Sequence, residues 1–179
     1  ELIFEDEKVT VHTIPLDHRI YTNGFLFKEK PFERKLHVSK AEDLNIDKAY
    51  YRKLKQGDDV VNEQGHVISN ESVTYKGNQP KSYAFCSDTA YKEAIIPIIK
   101  GVDVLYHEST FLESHANLCA KTKHSTAKQA ATIALKANVK QLILGHYSTR
   151  YGGLEGFKTE ASTIFKDVLL ADDGKVFEF

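Results

Sequence analysis

Lys121-Thr-Lys-His-Ser-Thr-Ala-Lys-Gln-Ala-Ala131, followed by Leu142-Ile-Leu-Gly-His-Tyr-Ser-Thr-Arg-Tyr151 and preceded by Phe85-Cys-Ser-Asp-Thr89, decides the fold. These stretches place Asp and His after short apolar strands. In an open α/β sheet the carboxyl ends of strands are where ligands and metals gather, so the chemistry is expected on one rim.

Working outward, strand and helix patterns alternate: Tyr83–Cys86, helix Glu93–Ile99, Val102–Tyr106, helix Thr126–Ala137, Gln141–Leu144, helix Leu154–Phe165, then Val168–Ala171. That rhythm predicts α/β layering. Asp173-Gly174 is a two-residue hairpin signal that predicts an antiparallel partner over Lys175–Phe179 and a mixed sheet. At the other end, Glu1 to Val11 reads as two short strands around an acidic turn. The chain holds no Met and opens within a strand pattern, which reads as part of a longer polypeptide. From about Lys28 to Lys81 charged residues crowd together, a helix is expected over Lys48–Lys55, and Gln64-Gly65 turns a polar hairpin. This stretch reads as an insertion with nearly balanced charge and a solvated face.

A chain of 179 residues with 41% apolar and 11% aromatic content suits one globular domain with its own core. The net charge of −1 gives no global basic field, so nucleic-acid contact must come from local patches or a metal. Cys86 and Cys119 form no CxxC motif and fit a reducing, cytoplasmic setting. No apolar run approaches the roughly 20 residues of a membrane span.

Thr126 and Gln129 form a capping box, and the alanines that follow permit close helix packing. His124 then lies just outside a helix N-terminus, where free amides favour an anion such as a phosphate oxygen and disfavour an imidazolium. A proton-donating role for His124 therefore needs a carboxylate, and Glu108 is the candidate. A single His before a helix is ordinarily structural; several His on one rim point the other way. Asp88, His107-Glu108 and His146 end three candidate strands, and Asp and His with open positions are the donors of a hydrolytic zinc site. Capping is the competing role for Asp88. His18 lies beyond a strand and before a bend that Gly24 permits. His12, His37, His66 and His115 show no partner pattern and are assigned to surface or packing.

Taken together, these residues resemble the ribonuclease Z family, the tRNA 3′-processing endonucleases of the metallo-β-lactamase superfamily. Pro15-Leu-Asp-His18 through Gly24-Phe25 resembles the third histidine motif, Cys86-Ser-Asp88-Thr89 the bridging aspartate, and Gly145-His146-Tyr-Ser-Thr-Arg-Tyr151 the last histidine motif. His107-Glu108-Ser-Thr-Phe111 resembles the "HEAT" element, with Ser109 where Ala is usual, and His124-Ser-Thr126 the "HST" element. The resemblance implies a four-layer αββα sandwich, of which residues 1–179 are mainly the C-terminal half, with 29–75 an inserted, exosite-like tRNA-binding arm. It implies that His18, Asp88 and His146 are metal ligands for two zinc ions bridged by Asp88, with manganese also possible. Glu108 and His124 then act on the proton of the leaving oxygen. The implied reaction removes the 3′ trailer of precursor tRNA by in-line attack of metal-held hydroxide, in a homodimer whose one subunit grips the tRNA cut by the other. Arg150 either contacts a substrate phosphate or pairs with a nearby carboxylate.

The family's His-x-His-x-Asp-His motif occurs nowhere in this sequence, nor does the Gly-Pro signature of the arm, whose place is taken by Asn45-Ile-Asp-Lys-Ala-Tyr50. The expectation is therefore an incomplete metal site whose other ligands lie in an upstream half. Two alternatives stand beside it: another metallo-β-lactamase-fold phosphodiesterase or nuclease, and a non-catalytic RNA-binding or dimerisation module.

Overall fold

The acidic turn near the start folds as read. Asp6 Oδ1 accepts hydrogen bonds from the Lys8 and Val9 amides at 2.7 Å each, and this turns strand β1 (Leu2–Glu5) onto β2 (Val9–Pro15). The computed structural model describes residues 1–179. After β3 (Asn23–Glu29), residues 30–80 form a compact unit of their own. It contains β4 (Lys35–Leu36), α1 (Val38–Asp43), α2 (Tyr51–Gln56), β5 (Val60–Val61), β6 (Val67–Ile68), α3 (Asn70–Val73) and β7 (Thr74–Tyr75) around a small core of Ala41, Ile46, Leu54, Val60 and Val73. The expected helix begins as a 3₁₀ turn, Lys48–Tyr50, capped by Asp47, and Gly57 at φ 103° ends α2. Gly65 turns the β5–β6 hairpin at φ 79°.

The larger unit, 1–29 with 81–179, continues with β8 (Ser82–Cys86), β9 (Val104–Glu108), α4 (Cys119–Thr122), α5 (Ala127–Ala137), β10 (Gln141–Gly145), α6 (Glu155–Ser162) and β11 (Val168–Leu170). Its seven strands run in the order β1-β2-β3-β8-β9-β10-β11. β1 to β8 pair antiparallel and β8 to β11 parallel, so the sheet is mixed, through its first strands and not through the expected C-terminal hairpin. Leu26, Ala84, Leu105, Leu142 and Leu144 share one buried cluster with Ala130, Ile133 and Ala134 of α5 and Phe157 of α6. The next residue on each strand points the other way. Register therefore aligns Phe25, Phe85, Tyr106 and Ile143 in a row on the opposite face, with the Phe85 and Tyr106 rings stacked at 4.7 Å.

Four expectations need correction. Glu93–Ile99 is only a 3₁₀ turn, Glu93–Ile95, because Pro97 has no N–H to carry the helical hydrogen bonds onward. The strand expected at Val102–Tyr106 is Val104–Glu108, so His107 and Glu108 belong to the strand itself. Gly24 is no bend: it sits inside β3, where an added Cβ would run into the Phe85 carbonyl oxygen. The Asp173-Gly174 turn forms, but Lys175–Phe179 pairs with no strand; instead Phe179 packs near Tyr83, with ring centroids 6.3 Å apart. Apolar contact with the sheet face wins there over a backbone ladder at its edge.

Candidate metal and proton-transfer site

Because β8, β9 and β10 are parallel neighbours, their carboxyl ends coincide. Asp88 follows β8, Glu108 ends β9, and His146 follows β10. Asp88 at φ 56° and His146 at φ 58° both occupy the left-handed region, which non-glycine residues rarely adopt and which clusters at functional sites. Gly145 precedes His146 because Tyr106 packs directly on its Cα, leaving no room for a side chain.

Glu108 organises the rim. Its side chain is 0% exposed, and Oε1 accepts from the Thr89 amide at 2.9 Å and from His124 Nδ1 at 2.7 Å. Oε2 accepts from the Thr110 amide at 3.0 Å, the Thr110 hydroxyl at 2.7 Å and the Ser125 amide at 3.1 Å. Burial pushes this carboxyl up, but the hydrogen bonds from His124, Thr110 and the Ser125 amide outweigh it and hold the pKa below the usual carboxylate value. Its partner moves the opposite way: the hydrogen bond to Glu108 overcomes desolvation and raises His124 above an ordinary imidazole. The two directions agree on an ionised Glu108 facing a His124 that tends to hold its proton.

The same network sets tautomers. The Thr110 hydroxyl gives its one hydrogen to Glu108, so at 2.9 Å it accepts from His146 Nδ1–H, leaving a lone pair on His146 Nε2. That lone pair faces Asp88 Oδ1 at 3.0 Å. Two acceptors this close want a cation between or beside them. His18 Nδ1 lies 3.0 Å from the Lys123 carbonyl, which can only accept, so His18 Nε2 is likewise free to ligate. The Asp17 amide on the Thr89 hydroxyl at 3.1 Å and the Lys123–Asp17 ion pair at 3.1 Å hold this loop in place. Ligating atoms of His18, Asp88 and His124 lie within 4.8 Å of one another, as do those of Glu108, His124 and His146. The donor chemistry fits a divalent ion. Glu108 is already saturated by five donors and His124 is bonded to it, which leaves His18, Asp88 and His146 as the available ligands.

Two sequence readings change. Most amides at the start of α5 are already taken: Ser125 N serves Glu108, Thr126 N and Gln129 N close the capping box, and Ala127 N bonds the Phe111 carbonyl. The anion at this helix start is Glu108 itself. Arg150 pairs with no carboxylate; its guanidinium lies 5.1 Å from the Phe111 ring centroid and Nε donates to Ser148 Oγ at 3.1 Å. Sequence reasoning missed Thr110, Ser125 and the Lys123 carbonyl. Thr110 carried a signal, a hydroxyl two residues after a buried acid. Ser109, the departure from the resembled motif, is fully buried with its hydroxyl on the Gly145 carbonyl at 3.2 Å.

The chain is 45% identical over 172 residues to the ribonuclease Z of Porphyromonas gingivalis and 50% identical over 179 residues to that of Cytophaga hutchinsonii, matches that take in 96% and 99% of this chain. Over nearly its whole length the chain is similar in sequence to proteins named ribonuclease Z. No family model matches it. The chain spans 57% and 56% of those two relatives' lengths, a little over half. Among solved structures, the metallo-β-lactamase fold protein YhfI from Bacillus subtilis superposes with a TM-score of 0.64 at 16% identity, over 99% of this chain and 52% of that one. Human tRNase Z, short form, superposes with a TM-score of 0.57 at 21% identity, over 99% and 46%. The fold is that of metallo-β-lactamase proteins.

Proposed function

We propose that the rim of His18, Asp88, Glu108, His124 and His146 works in a zinc-dependent endoribonuclease of the ribonuclease Z type, which cuts the 3′ trailer from precursor tRNA. The observation that carries it is the buried Glu108–His124 pair standing beside Asp88 and His146. His18, Asp88 and His146 would hold zinc, and the same donors would accept manganese. When bound, such ions activate the attacking water and offset charge on the phosphoryl oxygens. Three donors are too few for two ions, so the remaining ligands come from outside this set, in an upstream half for which the relatives' greater length leaves room.

The chain's own residues supply the proton. As the bond from phosphorus to the 3′ oxygen breaks, His124 gives that oxygen a proton, leaving a 3′-hydroxyl on the tRNA. Glu108 orients the ring and stabilises its cationic form. Arg150, free of carboxylates, would contact a substrate phosphate. With this reading go residues 29–75, nearly all within the compact unit 30–80, as the tRNA-gripping arm, a homodimer, and a cytoplasmic setting that the two free, buried cysteines suit. No helix is long and apolar enough to cross a membrane.

The test is cleavage of a 3′-extended precursor tRNA by the complete protein, with product ends mapped. His124→Ala is expected to slow cutting by about 10²-fold or more while zinc content is retained. An unchanged rate would remove His124 from the mechanism, and no cutting by the unmutated protein would overturn the substrate.

A further inference from the structure

Charge in residues 30–80 is nearly balanced along the sequence but not in space. A groove of about 490 Å³ in this unit is lined by Arg34, Lys35 and Lys55 against a single carboxylate, Glu33. None of the three cations forms a salt bridge. Arg34 is held in position by a hydrogen bond from Nε to Thr74 Oγ1 at 2.6 Å, which leaves both terminal nitrogens of its fork unused. The rest of the lining is apolar or aromatic, notably Phe32, Val38 and Tyr51. Phe32 and Val38 are 47% and 50% exposed, well beyond what their apolar surface favours. The Tyr51 hydroxyl is buried and has no hydrogen-bond partner.

We infer that this groove binds a phosphorylated nucleoside. The guanidinium and the two ammonium groups suit its phosphate. The aromatic surface suits a base, because stacking on side-chain rings favours any base with a π-face. Asn78 at the rim offers an amide to a base edge. The volume lies within the range of small-ligand sites, roughly 300–1,000 Å³. A free nucleotide and an unpaired nucleotide of an RNA strand present the same chemistry. This site is in a different unit from the metal rim and does not depend on the proposed reaction.

The complete protein, titrated calorimetrically with AMP, with the single-stranded trinucleotide pApApA and with inorganic phosphate, tests it. AMP is expected to bind at least tenfold more tightly than phosphate. Phe32→Ala and the double substitution Lys35→Ala with Lys55→Ala, all at exposed positions, are each expected to weaken binding about tenfold. If the trinucleotide binds with the same sensitivity and AMP does not, the occupant is a nucleotide within a strand. Binding no tighter than phosphate, or binding that these substitutions leave unchanged, overturns the inference. Because the readout is binding, a failure here is distinct from a failure to cleave tRNA.

Discussion

Glu108 poses a problem that its surroundings solve. A fully buried carboxylate is costly, and burial alone would drive it to protonate. Five donors converge on its two oxygens instead, so the charged form is the favoured one, and His124 is raised as a consequence. Glu108→Gln keeps the shape but, either way round, turns its NH2 toward the backbone N–H of Thr89 or those of Thr110 and Ser125, which can only donate. Removing one partner of a buried charged pair costs on the order of 3 kcal/mol, and chemical denaturation should register it. The His124 pKa should also fall, since the anion that raises it is gone, which NMR titration of its imidazole protons reads directly. An unmoved His124 pKa would mean that Glu108 does not set its charge.

At the scale of elements, the interior strand β9 is clamped at both ends by acids with opposite duties. Glu108 ends it at the functional rim, while Asp103 precedes it at the other end. Asp103 accepts from the Ser82 amide and hydroxyl at 2.7 Å each and from Lys140 Nζ at 2.7 Å, tying β8 and the approach to β10 together. Burial pushes Asp103 up, but these hydrogen bonds outweigh it and hold the carboxyl below its ordinary 3.8. The sign follows from the depressed pKa: the stabilisation is complete above about pH 4 and is lost as pH falls below the ordinary value and through the folded one. Asp103→Asn is expected to cost about 1–3 kcal/mol at pH 7 in urea unfolding, with the difference shrinking below pH 3. Elements whose signals are local were legible in the sequence: α5 from its capping box and alanines, the parallel strands from their apolar runs, and the rim from Asp88, Glu108, His124 and His146 at strand and helix ends. What stayed hidden depends on contacts between distant residues. His146 to Thr110 spans 36 positions and His18 to Lys123 spans 105, and no local pattern encodes either. The C-terminal tail was misread for the same reason, because its aromatic residues answer to the sheet face and not to the turn before them.

At the scale of the whole molecule, the candidate ligands sit on three separate connections, after β2, β8 and β10, so an ion held between them links segments far apart in sequence. An ion that binds only the folded state stabilises all of it, by about 2.7 kcal/mol at a hundred times its Kd. Zinc should therefore raise the Tm of the protein in a dose-dependent way. Asp88→Asn separates this from an ordinary ion pair. Asn tolerates the left-handed backbone that Asp88 adopts, so the substitution adds little strain. If His146 Nε2 carries a lone pair, as the Thr110 network requires, the new amide donates to it where the carboxylate oxygen had faced it at 3.0 Å. The metal-free variant is then expected to match or exceed the unmutated protein in Tm while losing most of the zinc-induced rise. If Asp88 and a protonated His146 were instead a structural salt bridge, the metal-free variant would melt lower and the zinc response would persist. Thermal melts of both proteins with and without zinc decide between the two arrangements, because each predicts the opposite sign for the metal-free change.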